Sequence, residues 1–278
     1  MLRQAIIPLA GLGTRLLPLS SVTPKELLPI NGKSNIEHIL DECIDAGIKE
    51  FIFIISKKKE SIKKYFFNDQ FYKSILAKKK DKRIKQYFQK LKNYQKMIKF
   101  VYQNEPRGTG DAILKSKKLI KGSHFLMLFP DDLIIKKNCS KEMISLHKKT
   151  KGSIIATKTV NKKTVSRWGI LDQKKKKKNY FEIKDVVEKP SIKQAPSNYA
   201  IIGRYILPKT IMKKLKHLKP GKGGEIHITD AIRQLIHDGE KFYGNIFKGK
   251  YLDCGTLNGY INSTIEVSKE GKKWKFAW

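Results

Sequence analysis

Short apolar runs rich in β-branched residues alternate with segments of helical spacing along most of the chain. Five such runs predict strands, at residues 5–9, 51–55, 98–102, 125–129 and 154–160. Helices are predicted from Asn35 to a stop at Gly47, over residues 109–120, and around residues 143–148. Such alternation is typical of parallel strands joined by right-handed crossovers under helices on both faces. We therefore predict an α/β fold, a Rossmann-like three-layer αβα sandwich with a mostly parallel central sheet.

Two segments interrupt this alternation. Residues 68–93 are rich in lysine and tyrosine and predict a helical excursion on the surface. Residues 167–190 predict a β-hairpin with the lysine run 174–178 at a solvated tip. A strand (199–207), a helix near Pro208, a helix (229–237) and a closing helix after Gly255 are predicted to follow. The second half thus adds a small hairpin and helical part to the sheet.

The length and the cysteines narrow the class of protein. The 278 residues can bury a sizeable core, as one α/β domain or as a large domain with a small annex. The sequence shows no long apolar run and no signal-peptide pattern at its start, so we expect a soluble cytoplasmic protein. Cys43, Cys139 and Cys254 are too far apart for a disulfide framework or a zinc cluster, and we expect reduced thiols.

The chain is strongly basic, with 59 Lys and Arg against 25 Asp and Glu, a formal net charge of +34. Most of this excess is lysine in the runs 57–59, 78–80 and 174–178, which we interpret as solvated surface. The arginine and aromatic interleaving of single-strand nucleic-acid binders is missing, so nucleic acid is not the favoured partner. A basic surface would still attract anionic substrates at low salt.

The loop after the first predicted strand carries glycines and two cations. The stretch Gly11-Leu12-Gly13-Thr14-Arg15 fits neither the dinucleotide fingerprint nor the phosphate-loop pattern. It suits an anion nest of backbone N–H groups with a helix N-terminus behind it, to which Arg15 adds a planar fork for phosphate oxygens. Lys25 follows between Pro24 and Glu26. The alternative interpretation is a plain helix-start turn with two surface cations.

Polar residues also follow the third and fourth predicted strands. Gln103 offers a donor and an acceptor to a pyrimidine edge, and Gly108 permits close backbone approach before a helix starting at Thr109 or Asp111; an ordinary strand–helix joint is the alternative. Asp131 and Asp132 end the fourth strand, and Asp253 ends a short strand downstream. Carboxylates at a sheet edge suit Mg²⁺, so Asp131 and Asp253 are predicted to share one ion. Asp132 is a weaker candidate, since it also suits a helix cap or a turn.

Later stretches add candidates for a phosphorylated sugar. Lys189 in Glu188-Lys189-Pro190 is a point charge for a phosphate, and Glu188 and Glu225 can accept hydrogen bonds from hydroxyl groups. Exposed polar groups beside turns are the alternative for both stretches. His227 is interpreted as a surface or packing residue, and no Ser/His/Asp or Cys/His arrangement is supported.

Taken in order, these motifs resemble the sugar-1-phosphate nucleotidyltransferases. The stretches that carry the resemblance are 10–15, 24–26, 129–132, 188–190 and 252–255, and the stretches 195–205 and 224–231 resemble the bacterial UTP–glucose-1-phosphate uridylyltransferases within that family. The resemblance runs over residues 3–265. It implies one nucleotidyltransferase domain with a nucleotide-binding half (3–160) and a sugar-binding half (161–265), followed by a tail at 266–278.

The resemblance also implies roles for individual residues. Arg15 and Lys25 act at the reacting phosphates, and Lys189 binds the sugar phosphate. The nucleotide contacts implied are Ala10, Gly11, Gly13, Thr14, Arg15, Lys25, Gln103 and Gly108; the sugar pocket is implied at Gly169, Glu188, Gly203 and Glu225, and Mg²⁺ at Asp131 and Asp253. A homo-oligomer is implied as well. The chain departs from the family at 108–111, where Gly-Thr-Gly-Asp replaces the usual Gly-Leu-Gly-His.

The implied reaction is transfer of UMP from UTP to glucose 1-phosphate with loss of pyrophosphate. The nucleophile is already an anionic phosphate oxygen, so the protein needs cations, a metal and in-line positioning rather than a general base. Two other hypotheses stay open. One is a sibling enzyme that uses dTTP or another sugar phosphate, and the other is a polyanion-binding regulatory protein that kept the fold without catalysis.

Overall fold

The computed structural model of the protein describes residues 2–270. Its strands are β1 (Gln4–Pro8), β2 (Pro29–Ile30), β3 (Lys33–Ser34), β4 (Glu50–Ile55), β5 (Ile98–Tyr102), β6 (His124–Leu128), β7 (Asp132–Ile135), β8 (Ser153–Thr159), β9 (Gly169–Lys176), β10 (Tyr180–Glu188), β11 (Tyr199–Pro208), β12 (Phe242–Ile246) and β13 (Lys250–Asp253). Its α-helices are α1 (Asn35–Asp45), α2 (Glu60–Phe67), α3 (Asp69–Lys78), α4 (Lys82–Gln95), α5 (Thr109–Lys115), α6 (Cys139–Thr150), α7 (Ile211–His217), α8 (Ile228–His237) and α9 (Leu257–Glu270).

The main sheet is mixed, and the prediction of a mostly parallel sheet is wrong. Its nine strands lie in the order β5-β4-β1-β6-β11-β8-β12-β10-β9. The pairs β5–β4, β4–β1, β1–β6 and β8–β12 are parallel, whereas β11 runs antiparallel to β6, β8 and β9, and β10 runs antiparallel to β9 and β12. Every residue of β11 is buried, and its sequence is apolar apart from Arg204, so it carries no sign of the strand's direction.

Both faces of the sheet are covered, as the α/β pattern predicts. Along β1, Ala5 and Ile7 belong to one apolar cluster with residues of α1 and α6, while Ile6 belongs to a second cluster with residues of α5, α7 and α8. The same alternation holds along β4. Side chains of successive strand residues point to opposite faces, so the two clusters are the two layers between the sheet and its helices.

Local signals located several elements well. Helix α1 begins at Asn35, with a capping box formed by Ser34 and Glu37, and Gly47 follows it with a φ of 92°. Residues 68–93 are helical, as α3 and most of α4, and β9 and β10 form the predicted hairpin. The lysine run 174–178 begins inside β9 rather than at the tip. The single helix predicted over 109–120 is wrong, because α5 ends at Lys115 and a 3₁₀ turn follows at Lys117–Leu119.

Several short elements escaped the sequence patterns, namely β2, β3, β7 and β12. Strand β7 pairs with β13, the predicted short strand that ends at Asp253, in a separate two-stranded antiparallel sheet, in which Asp132 lies opposite Asp253. Helix α9 extends through Glu270, so it includes residues 266–270 of the predicted tail, and the rest of that tail lies outside the described residues. The three cysteines are buried free thiols, as predicted. Within residues 2–270, no helix has the length and apolar character needed to cross a membrane.

A buried ion pair joins the centre of the sheet to α1. The Arg204 side chain in β11 has no solvent exposure, and its Nη2 donates to Glu42 Oε2 at 3.0 Å. Its Nη1 donates to the carbonyl oxygens of Phe129 at 3.1 Å and Gly203 at 3.0 Å. Glu42 also accepts a hydrogen bond from the Ser140 hydroxyl of α6 at 2.6 Å. The guanidinium therefore ties α1, β11 and the end of β6 together.

We predict that Arg204→Met lowers the free energy of unfolding by about 3–5 kcal/mol, because Glu42 keeps its buried charge and loses its partner. Urea denaturation of the purified variant measures this loss. The control is Lys141→Met, which breaks an exposed pair between Lys141 and Asp45 (2.8 Å) beside the same helix. That change should cost less than about 1 kcal/mol. Equal losses in both variants would contradict the structural role of the buried pair.

Candidate functional site

A cavity of about 790 Å³ opens where loops leave the carboxyl ends of β1, β5 and β6, and it extends to the end of β10. All residues predicted to contact substrate or metal line this one cavity: Ala10, Gly11, Gly13, Thr14, Arg15, Lys25, Gln103, Gly108, Asp131, Gly169, Glu188, Lys189, Gly203, Glu225 and Asp253. Since they are scattered over most of the chain, their convergence is a result of the tertiary fold.

The first loop forms a glycine turn without the helix that we predicted behind it. Gly13 has a left-handed φ of 72°, and its carbonyl oxygen accepts a hydrogen bond from the Ser20 hydroxyl at 2.8 Å. Behind it lies only a 3₁₀ turn, Thr14–Leu16. The prediction of a helix N-terminus at this nest is wrong, because Pro18 and the following turns redirect the chain. Any anion bound here would meet individual N–H groups and the exposed Arg15 side chain.

Lys25 and Asp131 form the closest charged contact in the cavity. The ammonium of Lys25 lies 2.6 Å from Asp131 Oδ2, and Arg15 Nη2 lies 3.7 Å from the same oxygen. Burial opposes the charged form of both groups. The pKa of Lys25 is nevertheless raised, because the charges of Asp131 and Glu26 outweigh burial, and the pKa of Asp131 is lowered by Lys25 and Arg15. Both side chains of this pair are therefore charged.

Asp132 and Asp253 flank this pair in different ways. Asp132 turns inward, where its carboxylate accepts hydrogen bonds from the backbone N–H of Gly203 at 2.9 Å and from the Tyr251 hydroxyl at 2.6 Å. Burial, together with the charge of Asp131, raises the pKa of Asp132 to about 6. Asp253 Oδ1 accepts from the N–H of Gly255 at 2.8 Å. Asp132 thus accepts from a backbone N–H and a tyrosine hydroxyl, whereas its neighbour Asp131 is paired with the side-chain cations Lys25 and Arg15.

Gly255 leaves an open space between Asp131 and Asp253. A Cβ atom at Gly255 would lie 2.6 Å from Asp131 Oδ2 and 3.2 Å from Asp253 Oδ1. The same Cβ would lie 3.1 Å from Arg15 Nη2, so the two carboxylates and the Arg15 guanidinium border one space that only glycine keeps clear. Within residues 2–270 no group of three or more His, Cys, Asp and Glu side chains is arranged to hold a metal ion. Two carboxylates are thus what the protein offers to a divalent cation at this place.

The far end of the cavity is built around Glu188. Its Oε2 accepts a hydrogen bond from the Thr229 hydroxyl at 3.0 Å, and Lys189 Nζ lies 3.7 Å from its Oε1. Lys189 has a left-handed φ of 45°, and its N–H donates to the Trp168 carbonyl at 3.0 Å. A Cβ at Gly169 would come within 3.2 Å of Glu188 Oε2. This end therefore combines a half-exposed cation, a carboxylate and a glycine that leaves room beside it.

The base of the cavity near β5 is occupied by Gln103. Its side-chain amide nitrogen donates to Asp111 Oδ2 at 2.7 Å and to the Gly108 carbonyl at 3.2 Å. Gly108 has a φ of 96°, and a Cβ there would lie 2.7 Å from the Ile226 carbonyl oxygen. Only glycine fits this close approach between the loop and the stretch that precedes α8.

A model of the family described as nucleotidyl transferase matches residues 4–270. The chain belongs to the nucleotidyl transferase family. A Mycoplasma pneumoniae relative named UTP–glucose-1-phosphate uridylyltransferase is 36% identical, over 95% of this chain and 91% of the relative. The resemblance carried by the motifs is therefore confirmed, and the protein is a nucleotidyltransferase.

Solved structures agree with this family assignment. A crystal structure of UDP-glucose pyrophosphorylase complexed with UDP-glucose is 34% identical, with a TM-score of 0.85 over 97% of this nucleotidyltransferase and 100% of that chain. A structure of the UTP-bound enzyme from Acinetobacter baumannii is 29% identical, with a TM-score of 0.84 over 98% and 95% of the two chains. The cavity described above thus lies in a fold whose relatives have been solved with nucleotides.

Several lining residues of this nucleotidyltransferase were missed by sequence reasoning. Tyr251 donates to Asp132, and its ring packs edge-on against Trp168 with centroids 5.9 Å apart. Trp168 directly precedes Gly169 and Tyr251 lies two residues before Asp253, so aromatic residues beside the motifs were a usable signal. Behind this lining, Lys158 Nζ lies 4.2 Å from the centroid of the Tyr251 ring. Lys158 had no such signal, because it lies within β8 with no motif nearby.

One lysine assigned to solvated surface is buried. Lys59, in the run 57–59, donates to both carboxylate oxygens of Glu26 at 2.8 Å, and the two side chains are 9% and 1% exposed. Burial lowers the pKa of Lys59, although Glu26 opposes the shift. Lys57 and Lys58 are exposed, as predicted. The error arose because charge runs give no sign of which member turns inward, and here the partner Glu26 stands next to Lys25.

We predict that Lys59→Met and Lys58→Met, adjacent changes of the same type, differ sharply in stability. Lys59→Met leaves the Glu26 carboxylate buried without a counter-charge and should lower the free energy of unfolding by about 3–5 kcal/mol. Lys58→Met should change it by no more than about 0.5 kcal/mol. Guanidinium denaturation of both variants checks this. A stable Lys59→Met protein would show that the pair is not needed to hold the Lys25 loop.

Proposed function

We propose that this nucleotidyltransferase transfers UMP from UTP to glucose 1-phosphate and releases UDP-glucose and pyrophosphate, with Mg²⁺ as its metal. The observation that supports this most is one cavity that is lined by the cations Arg15 and Lys25, by the carboxylates of Asp131 and Asp253, and by the pair Lys189 and Glu188 at its far end. The printed names of the relatives, which include enzymes bound to UDP-glucose and to UTP, support the choice of substrates.

The nucleotide would lie along the first loop and β5. Backbone N–H groups of the stretch 10–14 would face the triphosphate, as nests of N–H groups do with anions, and Arg15 and Lys25 would add charge. Gln103 and Gly108 would border the uracil. All these residues come from the predicted nucleotide-binding half, 3–160, whose division from the second half remains a prediction.

The sugar phosphate would lie between β10 and β11. Lys189 is 48% exposed and stands at the cavity edge, where a mobile ammonium can reach a phosphate. Glu188 and Glu225 would accept hydrogen bonds from sugar hydroxyls. Gly169 and Gly203 would leave room for the ring, and a Cβ at Gly203 would already collide with Asp132 Oδ2 at 2.3 Å.

The reaction requires the protein to position the two substrates rather than to transfer a proton. A phosphate oxygen of glucose 1-phosphate attacks the α-phosphorus of UTP, the new P–O bond forms as the bond to the β-phosphate oxygen breaks, and pyrophosphate carries away the electron pair. The attacking oxygen is already anionic, so no base is required. Arg15 and Lys25 would stabilise the charge that develops on the phosphates, and fixed binding at both ends of the cavity would hold the reacting atoms in line.

Mg²⁺ would be held by Asp131 and Asp253. Their oxygens are hard donors, they border one open space, and Asp132 is already engaged by Gly203 and Tyr251. When bound, the ion would neutralise part of the phosphate charge. Substrate oxygens and water would complete its ligands, because two carboxylates leave most of an octahedral shell open.

Pyrophosphate release from UTP plus glucose 1-phosphate, with and without Mg²⁺, tests the proposed function directly. We expect release only with both substrates and the metal present, and UDP-glucose as the co-product. Efficient use of dTTP in place of UTP would instead support a sibling enzyme. Tight nucleic-acid binding without any transfer would support a polyanion-binding protein and contradict the proposal.

We predict that Asp131→Ala abolishes turnover, with a fall in kcat of at least about 10²–10³-fold, since it removes a metal ligand and the partner of Lys25. A steady-state assay across a range of Mg²⁺ concentrations measures it. Asp45→Ala, which removes an exposed carboxylate far from the cavity, is the control and should keep full activity. Full activity of the Asp131 variant in Mg²⁺ would exclude the metal assignment.

We predict that Lys189→Ala raises the KM for glucose 1-phosphate by about 10–100-fold and leaves the KM for UTP unchanged. A rise of this size corresponds to the loss of one hydrogen bond to a charged group. Lys193→Ala, an exposed lysine four residues away, is the matched control. Initial rates with each substrate varied in turn separate the two constants. A selective rise in the KM for UTP would place Lys189 at the nucleotide instead.

A further inference from the structure

The side-chain amide of Gln103 is held from the protein side by two acceptors. Its nitrogen donates to Asp111 Oδ2 at 2.7 Å and to the Gly108 carbonyl oxygen at 3.2 Å. The whole residue is 5% exposed, so little bulk water competes with these partners. Both of its N–H groups are therefore used inside the protein.

These two acceptors determine which way the amide points. Neither a carboxylate nor a peptide carbonyl can donate, so a flipped amide would bring its oxygen against two other oxygens. Within residues 2–270, the carbonyl oxygen of Gln103 accepts no hydrogen bond. It is nevertheless not one of the fully buried polar atoms without a partner, so it is not enclosed by the protein. Because Gln103 lines the cavity, that oxygen is the polar atom it presents to a ligand.

The acceptors themselves are held firmly. The Gly110 N–H donates to the Ile226 carbonyl at 2.7 Å, and the Ile226 N–H donates to the Arg107 carbonyl at 2.9 Å, so the loop is bonded on both sides of Gly108. Asp111 lies in the first turn of α5, and Lys115 Nζ lies 3.8 Å from its second oxygen. The loop cannot easily turn a donor toward Gln103.

We propose that Asp111 is a positioning residue that makes the base subsite an acceptor, so that it selects pyrimidines carrying a hydrogen on N3. The proposal rests on the proposed function, which places uracil beside Gln103. Uracil and thymine donate from N3, whereas cytosine accepts there and would face the Gln103 oxygen with a second acceptor. A buried pair of unmatched acceptors is strongly disfavoured, so CTP is rejected.

The contact between Asp111 and Gln103 depends on a residue of this chain that the family motif does not contain. Asp111 is a position at which the chain departs from the usual Gly-Leu-Gly-His, and its side-chain oxygen accepts from the amide nitrogen without depending on a ring tautomer, as a histidine would. The Gln103 oxygen would contact only N3 of the base and would not contact the methyl group on C5 of thymine. It therefore separates UTP from CTP and contributes nothing to the choice between UTP and dTTP.

The test is the ratio of kcat/KM for UTP over CTP in Asp111→Leu, which removes the carboxylate acceptor of the Gln103 amide and leaves the Gly108 carbonyl in place. We expect this ratio to fall about tenfold or more, the worth of one oriented hydrogen bond, because the amide can now offer its nitrogen to cytosine. The UTP to dTTP ratio should stay within about twofold of its original value. Asp111→Asn keeps an acceptor oxygen and should retain the original UTP to CTP ratio.

Lys115→Met is the matched control, since it removes the charge beside Asp111 and leaves the acceptor in place. It should not change the UTP to CTP ratio. If Asp111→Leu does not fold, Asp111→Ala takes its place, since it also removes the acceptor from Gln103 and adds no bulk. An unchanged ratio in the folded acceptor-deleting variant, or an equal loss in Asp111→Asn, would overturn the proposal.

Equilibrium binding of UTP and CTP by calorimetry separates this inference from the proposed reaction. If the original protein binds UTP more tightly than CTP and the ratio of the two affinities is smaller in Asp111→Leu, the inference is supported, even if glucose 1-phosphate is not turned over. Turnover of UTP and glucose 1-phosphate with the same nucleotide preference in both proteins would retain the reaction and exclude the role of Asp111.

Discussion

The buried contact between Arg204 and Glu42 is the constraint on which the site depends. Arg204 lies in β11, where the sheet changes from parallel to antiparallel neighbours, and it binds the carbonyl oxygens of Phe129 and Gly203 as well as the carboxylate. These contacts hold the end of β6 in place just before Asp131 and Asp132 leave the sheet. A guanidinium without solvent is tolerated only when its donors and its charge are matched, so the stability of the core and the position of the aspartates rest on the same group.

Charge compensation around the cavity follows from this arrangement. Lys25 faces Asp131, and Lys59 faces Glu26, so adjacent residues of one turn are each matched by an opposite charge from another element. For Lys25 and Asp131 this matching outweighs burial, since the pKa of Lys25 is raised and the pKa of Asp131 is lowered, so both side chains are charged. A substrate phosphate would replace the carboxylate beside Lys25, and a divalent cation would replace the lysine beside Asp131. Each protein charge would therefore keep a partner of opposite sign, and none would be left buried and unpaired.

Much of the fold was predictable because its signals are local. The strands at 5–9, 51–55 and 98–102 and the start of α1 follow from short-range periodicity and a capping box, which depend on neighbouring residues alone. The direction of β11 was not predictable, since a strand buried on both faces is mostly apolar whichever way it runs. The missing helix behind Gly13 and the burial of Lys59 have a similar cause, because each depends on how distant segments pack.

The sequence by itself determined the chemical inventory of this protein: the glycine turn with Arg15 and Lys25, the aspartates that end two strands, and the order of motifs that marks the family. Only the tertiary structure decided how these groups face one another. It turned Asp132 toward Gly203 and Tyr251 while Asp131 met Lys25, and it set Asp111 against the amide of Gln103. The physical reason is that residue type limits the bonds a side chain can make, whereas burial and the positions of partners from distant strands select the bonds that form.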